Sequence, residues 1–281
     1  MIVTPPPVPE PIRFEVLLSQ SWSLFRRNWI VAVPPVIAML IGLAGAAALV
    51  GALVAGAIAR GLFERHAPPP DGGFVGTILT GWLVYVVVML VVSLWSYAAM
   101  YGMADAAWAK GTATFADGFT AFRTRAVSLV VAGIGVCGLA IVAFILALPL
   151  VTMYVAPSVV TGRRDGFTAI AESFALVRRF FGASAIALLV LLAINYGISM
   201  MASFPIYPLE FAFLPTASQP VPHLPAVGFL AAAGLWFVLA MVVAQAYLGY
   251  YTIAIVGLYR SLFAQPIAGQ PPGPSAPFAG V

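Results

Sequence analysis

The chain has 281 residues, 62% of them hydrophobic and 8% charged, with a mean hydropathy of +1.04. Soluble domains carry roughly 25% charged residues, so a water-soluble globule is excluded, because a core of this length cannot hide so much apolar surface. The formal charge of +4 is small, so no nucleic-acid partner is expected, and the single cysteine, Cys137, excludes an internal disulfide and a multi-cysteine metal site.

Residues 1–11 hold five prolines and one acidic residue and read as an extended, solvated lead-in. From Ile12 to Trp29, Phe14, Leu18, Trp22, Phe25 and Trp29 recur at helical spacing and end beside Arg26 and Arg27, which predicts a first surface helix. Asn28 to Ala59 carries no charge and exceeds the ~20 residues needed to cross hydrocarbon. It is too long for the apolar core of a cleaved signal peptide and reads as a retained span. Arg60 to Gly73, with Glu64, His66 and Asp71, is the first loop on the far side, and Phe74 to Trp108 returns.

After Lys110 a short helix is predicted with Phe115, Phe119 and Phe122 on one side and Arg123 and Arg125 at its end. Val127 to Thr161 is uncharged and broken by Gly133, Gly135, Gly138, Pro149 and Pro157. It is either one kinked span or a short hairpin. A single span would put Arg163, Arg164, Arg178 and Arg179 on the far face, against the rule that basic residues gather at the cytoplasmic side. The hairpin is therefore preferred, with spans shorter than usual.

Gly162 to Phe181 is the most strongly charged stretch of the second half. Phe167, Ile170, Phe174, Val177 and Phe181 fall on one helical stripe with the four arginines outside it, which predicts an amphipathic helix on a membrane face. Gly182 to Phe204 spans outward, 205–225 is a proline-rich far loop with Glu210 and His223, and Ala226 to Phe263 returns. Residues 264–281 are proline-rich and read as a disordered tail, leaving 12–263 as one membrane domain. The expected fold is thus all-α: a polytopic membrane protein with five or six transmembrane segments, three amphipathic interfacial helices and both termini cytoplasmic. Only Arg60 and Arg65 among the basic residues fall outside.

The chain also contains a suggestion of an internal repeat. Ser21 to Trp29 aligns without a gap on Ser173 to Phe181, with Ser, Leu and the two arginines identical, and Gly118 to Arg125 is a fainter third copy. Three units of surface helix plus membrane hairpin would need two crossings in the middle unit, as the charges also do.

Leu148-Pro149, Ala156-Pro157-Ser158-Val159-Val160 and Ala171-Glu172-Ser173-Phe174-Ala175-Leu176-Val177-Arg178 resemble the membrane domain of the glycerophosphoryl diester phosphodiesterase family. They are also similar to related six-span bacterial inner-membrane proteins, as are Ser23 to Trp29 and Leu258 to Leu262. The resemblance implies a helical membrane domain in a bacterial inner membrane. It does not imply hydrolysis, because the soluble phosphodiesterase domain that some members carry is absent from this sequence, and the spacing of Pro149 and Pro157 is short for that family.

Phosphodiester chemistry needs clustered carboxylates and histidines. Glu64, His66 and Asp71 could meet Glu210 and His223 as an external metal site, but the spacing matches no metal motif, so no cofactor and no catalysis are expected. Transport of a lipid, an amphipath or a neutral solute is the alternative. Ser93, Ser96, Asn195 and Gln245 could line a route, although such residues more often tie helices together.

The sharper expectation concerns Arg26, Arg27, Arg123, Arg125, Arg163, Arg164, Arg178 and Arg179. All eight fall beside aromatic rings at one interface, where guanidinium forks can bind phosphate oxygens of anionic phospholipids. The plainer reading is that they obey the orientation rule and snorkel into any headgroup layer. The expected role is a non-catalytic membrane component that engages lipids, a partner membrane protein or a second copy.

Overall fold

The computed structural model describes residues 13–60, 72–142, 148–203 and 225–263, and among them there is helix and turn but no strand. The order is α1 (Phe14–Arg27), a 3-10 turn (Trp29–Ala32), α2 (Val33–Ala59), α3 (Gly72–Lys110), α4 (Phe115–Val142), α5 (Leu148–Thr152), α6 (Val155–Val160), α7 (Gly166–Arg179), α8 (Phe181–Ser203) and α9 (Pro225–Phe263). Five segments are long and apolar enough to cross a membrane: Trp29–Ala59, Gly72–Lys110, Phe115–Leu139, Phe181–Met201 and Ala232–Phe263. The expected all-helical polytopic fold is therefore observed. The lead-in, the tail and both far loops, with Glu64, His66, Asp71, Glu210 and His223, lie outside the described residues.

The local reasons for these elements are visible in the sequence. Pro34 and Pro35 occupy the first turn of α2, where a missing N–H removes no helical bond. Thr114 and Asp117 form a reciprocal cap at the start of α4: Thr114 N donates to Asp117 Oδ2 at 2.9 Å, and Asp117 N donates to Thr114 Oγ1 at 3.4 Å. Gly111, at φ 77, takes the left-handed conformation that ends α3 and that a side chain would resist.

α3 and α9 each run for 39 residues, about 58 Å at 1.5 Å per residue, nearly twice the ~30 Å of hydrocarbon. Their C-terminal thirds are buried and their preceding turns are largely exposed. One core joins Met100, Met103 and Ala104 of α3 to Val155 and Val159 of α6 and Ile253 and Val256 of α9. A second joins Leu17 of α1 and Tyr154 to Leu176 and Val177 of α7 and to Leu258 and Leu262 of α9. The packed centre of the protein thus sits at one end of the bundle, and the apolar spans diverge from it.

Two antiparallel hairpins make four of the five spans. In α2/α3, Gly42 faces Met89, Gly45 faces Tyr85 and Gly56 faces Phe74, and the Tyr85 hydroxyl donates to Gly42 O at 3.2 Å. In α8/α9, the Tyr247 hydroxyl donates to Leu191 O, and Trp236 Nε1 donates to Met201 O at 3.2 Å. Glycine lets the first pair approach closely. Of the polar residues expected to tie spans together, only Ser96 is buried, while Ser93 and Asn195 are exposed. The side chains of Ser93, Asn195 and Gln245 make no hydrogen bond with described residues, so the helix-tying role falls instead to tyrosine and tryptophan reaching backbone carbonyls.

The middle of the chain doubles back. α4 starts against α3, with Gly118 on Ala99 and Ala121 on Gly102, and α6 ends in the same core as Met100 and Met103. The return from Leu148 to Val160 covers 13 residues, about 20 Å as helix, which is short of a full crossing. The turn itself, 143–147, lies outside the described residues. The expected second surface helix, with Phe115, Phe119 and Phe122, forms the first turns of α4 and continues unbroken into the span.

Candidate functional site

Seven of the eight arginines singled out above, Arg26, Arg27, Arg123, Arg163, Arg164, Arg178 and Arg179, are exposed, and Arg125 is half-buried. All lie at the packed end. Arg26 and Arg27 close α1, Arg178 and Arg179 close α7, and Arg163 and Arg164 occupy the turn between α6 and α7. Arg123 and Arg125 lie just beyond Ala121, which touches Gly102.

Three of the five carboxylates among the described residues have basic partners at this end, while the exposed Glu15 and Asp165 make no ion pair with a described residue. Asp105 binds Arg260, with Arg260 Nη2 2.5 Å from Asp105 Oδ1. Asp117 binds Lys110 at 2.7 Å, and Glu172 binds Arg164 at 3.1 Å. Arg179 lies over the Phe180 ring at 4.9 Å. Arg26, Arg27, Arg123, Arg125, Arg163 and Arg178 make no ion pair with any described residue. Arg163 also holds φ at 55, a left-handed conformation that costs a non-glycine residue about 1 kcal/mol or more.

Glu172 organises the α6–α7 corner. Its Oε2 accepts from the Ser158 hydroxyl at 2.5 Å and from Arg164 Nε at 3.1 Å, and its Oε1 accepts from the Tyr259 hydroxyl at 3.3 Å. Ser173, one residue on, is fully buried; its hydroxyl donates to Val151 O and accepts from Tyr154 N at 3.3 Å. Gly162 sits so close to this corner that a Cβ would lie 2.3 Å from the Tyr259 hydroxyl. Ser158, Glu172 and Tyr259, separate in the sequence, thus form one polar joint, with Ser173 bonded beside it, that fixes the arginine-bearing turn.

The aromatic stripe of α7 divides. Phe167, Phe174 and Phe181 point outward, while Val177 is buried with Gly166, Ala169, Ser173 and Leu176. The small residues make the protein contact and the large rings are left for the surroundings. The same division occurs in α4, where Asp117-Gly118-Phe119-Thr120-Ala121 repeats Asp165-Gly166-Phe167-Thr168-Ala169 residue for residue. In both copies the glycine and alanine are buried and the phenylalanine and threonine exposed. Gly118 lies against Ala99, and Gly166 against Ala132. This five-residue identity was open to sequence reading, but the arginine pairs favour another alignment and conceal it.

Other features offer little room for chemistry. A cleft of about 20 Å³ between α1, α8 and α9 is lined by apolar side chains, among them Phe14, Leu17, Leu191 and Leu258, and is about the size of one water. No group of three metal-ligating side chains occurs among the described residues. Cys137 is exposed on α4, within the Phe115–Leu139 span. No family model, curated protein or solved structure matches the chain.

Proposed function

We propose that this protein is a non-catalytic component of a bacterial inner membrane whose packed end faces the cytoplasm and engages the headgroups of anionic phospholipids. The observation that carries this reading is the uncompensated charge at that end. Six arginines make no ion pair among the described residues: Asp105, Asp117 and Glu172 are held by Arg260, Lys110 and Arg164, and the exposed Glu15 and Asp165 are too few to balance them. Cations in this position attract the anionic cytoplasmic leaflet by about 1 kcal/mol each near the surface. Arg163 keeps a strained backbone where glycine would cost less, which fits a side chain retained for contact. The resemblance to the glycerophosphoryl diester phosphodiesterase membrane domain supports the inner-membrane assignment.

An internal repeat underlies the arrangement in this reading. α1 and α7 each have 14 residues, and each position in α7 follows its counterpart by 152, from Phe14 to Gly166 and from Arg27 to Arg179. α3 and α9 match in length as well. α1 rests on α9, the start of α4 on α3, and α7 on α4 together with α5 and α6.

The test is a comparison of lipid carried through purification. The full chain, extracted from membranes and analysed by native mass spectrometry, should hold phosphatidylglycerol well above its share of bulk lipid. Retention in bulk proportion would reject headgroup engagement. Orientation has its own check: with Cys137 replaced by Ala, a cysteine at Arg163 should resist a membrane-impermeant maleimide in intact spheroplasts and react after lysis. Labelling before lysis would invert the assignment.

A further inference from the structure

We infer that the fork where α3 and α9 part is a binding site for the uncharged polar end of a lipid of the diacylglycerol class, entered sideways from the bilayer. The two helices are buried together toward their C-termini. In the other direction burial stops at Ser96 on α3, apart from Phe74 at the far end, and at Gly249 on α9, among the described residues. Four tyrosines flank the point of parting: Tyr97 and Tyr101, one turn apart on α3, and Tyr247 and Tyr251, one turn apart on α9. The Tyr251 hydroxyl is an electrostatic neighbour of those of Tyr97, Tyr101 and Tyr247, and of Tyr154 just before α6.

Most of these hydroxyls are already used. Tyr97 and Tyr101 have ring centroids 4.8 Å apart and bond each other through their hydroxyls. Tyr154 pairs with Ser184 of α8 at 2.9 Å, and Tyr247 donates to Leu191 O. Tyr251 makes no hydrogen bond with a described residue. Asn195 shares the Ser184 face of α8, because eleven residues are close to three turns, and it stands about 16 Å farther into the span at 1.5 Å per residue. Its exposed amide is likewise unbonded. An unmet hydroxyl or amide is costly in hydrocarbon, so both side chains call for a partner from the surroundings.

Charge decides which partner fits. Residues 72–104, 181–203 and 225–259 contain no Asp, Glu, Lys or Arg, and the next charges on α3 and α9, Asp105 and Arg260, neutralise each other. A phosphate entering the fork would find no counter-charge, whereas hydroxyl and ester oxygens can accept from the tyrosine hydroxyl and the asparagine amide. The wedge that two separating helices leave in a bilayer is filled by lipid, so the acyl chains of such a molecule occupy the widening gap while its polar end meets Tyr251 and Asn195. The fork is thus distinct from the arginine-bearing turns, whose partners carry charge.

The experiment uses the full chain in phosphatidylcholine nanodiscs carrying diacylglycerol with a photoreactive, clickable acyl chain. Wild type should be labelled, and unlabelled diacylglycerol should compete where phosphatidylglycerol does not. Y251F and N195L should each lower labelling roughly threefold to tenfold, the worth of one hydrogen bond. Y196F, next along α8 with a ring 66% exposed, should leave labelling unchanged. Because the Tyr251 hydroxyl holds no internal bond, Y251F should melt with wild type; a lower melting temperature would show that hydroxyl tied within the protein and overturn the assignment. Equal labelling of wild type and Y251F/N195L, or equal competition by hexadecane, would show that the gap takes any apolar chain and would overturn it too. Equal competition by phosphatidylglycerol would remove the preference for an uncharged lipid and with it the assignment. If N195L instead turns a dimer into a monomer with labelling unchanged, the fork is an interface between copies and the lipid site falls.

Discussion

Asp105 and Arg260 lie 155 residues apart and meet at the packed end, with Arg260 Nε and Nη2 at 3.1 and 2.5 Å from the same carboxylate oxygen and Nη2 also 3.2 Å from Asp105 O. The pair joins the two longest helices where both are otherwise apolar. Arg260→Gln should destabilise the protein by about 1–3 kcal/mol, because the carboxylate loses its charged donors in a half-buried place. Asp105→Leu combined with Arg260→Met should restore most of that, since a partly buried pair often contributes little over a packed apolar one. Thermal melts in detergent of the two singles and the double complete the cycle. A double no better than the singles would contradict this account.

Asn28 works as a bracket between α1 and the α3–α4 turn. Its Nδ2 donates to Leu24 O and Gly111 O, both at 3.1 Å, and its Oδ1 accepts from Ala113 N at 2.7 Å. Asn28→Ala should cost about 2 kcal/mol by leaving these buried groups unmet. Asn28→Asp should do no better, because it keeps the acceptor and turns a second oxygen toward two carbonyls. Hydrogen exchange at Ala113 should rise in both variants; unchanged protection would show that the bracket is dispensable.

Glycine positions separate close packing from tolerance. A Cβ at Gly102 would lie 2.3 Å from Ala121 Cβ and 3.0 Å from Asp117 O, whereas one at Gly51 meets nothing within 4 Å. Gly102→Ala should therefore destabilise by about 1–3 kcal/mol through overpacking. Gly51→Ala should be neutral or stabilise by about 0.5–1 kcal/mol through helix propensity. Equal melting temperatures for the two would refute the close α3–α4 crossing.

At the α6–α7 corner, Gly162→Ala should push the Tyr259 hydroxyl off Glu172, because the new methyl would lie 2.3 Å from it. Tyr259→Phe removes the obstructing oxygen at the loss of one hydrogen bond. Gly162→Ala with Tyr259→Phe should then melt above Gly162→Ala alone. A double that melts below both singles would mean that the clash lies elsewhere, with Ser158 O at 2.7 Å as the next contact.

Much of this fold can be read from the sequence, and the reasons for the rest are physical. The surface helices α1 and α7 are legible because an apolar stripe and a terminal arginine pair are local signals, and the observed bounds differ from the expected Ile12–Trp29 by only two residues at each end. The doubling back of 127–161 follows from charge placement, and α6 does return to the core it left. The burial of Ala98–Ala107 and Thr252–Leu262 is not legible, since an uncharged helix reads alike whether lipid or protein surrounds it. The outward rings of α7 are obscured for the same reason. The Glu172 joint is hidden because Ser158, Arg164 and Tyr259 carry no spacing signal; only the folded corner brings them to one carboxylate. The eight candidate arginines are brought to one end, as the alternation of spans requires.

The contact of α1 with α9 bears on how the molecule is made. Leu17 is synthesised about 240 residues ahead of Leu258 and Leu262, with which it shares a core. α1 therefore waits with its inner face uncovered while all the intervening spans are made, and the interfacial layer or a chaperone must shelter it. A chain stopped short of Thr252 would insert its spans and still lack the wedge that locks α1 in place.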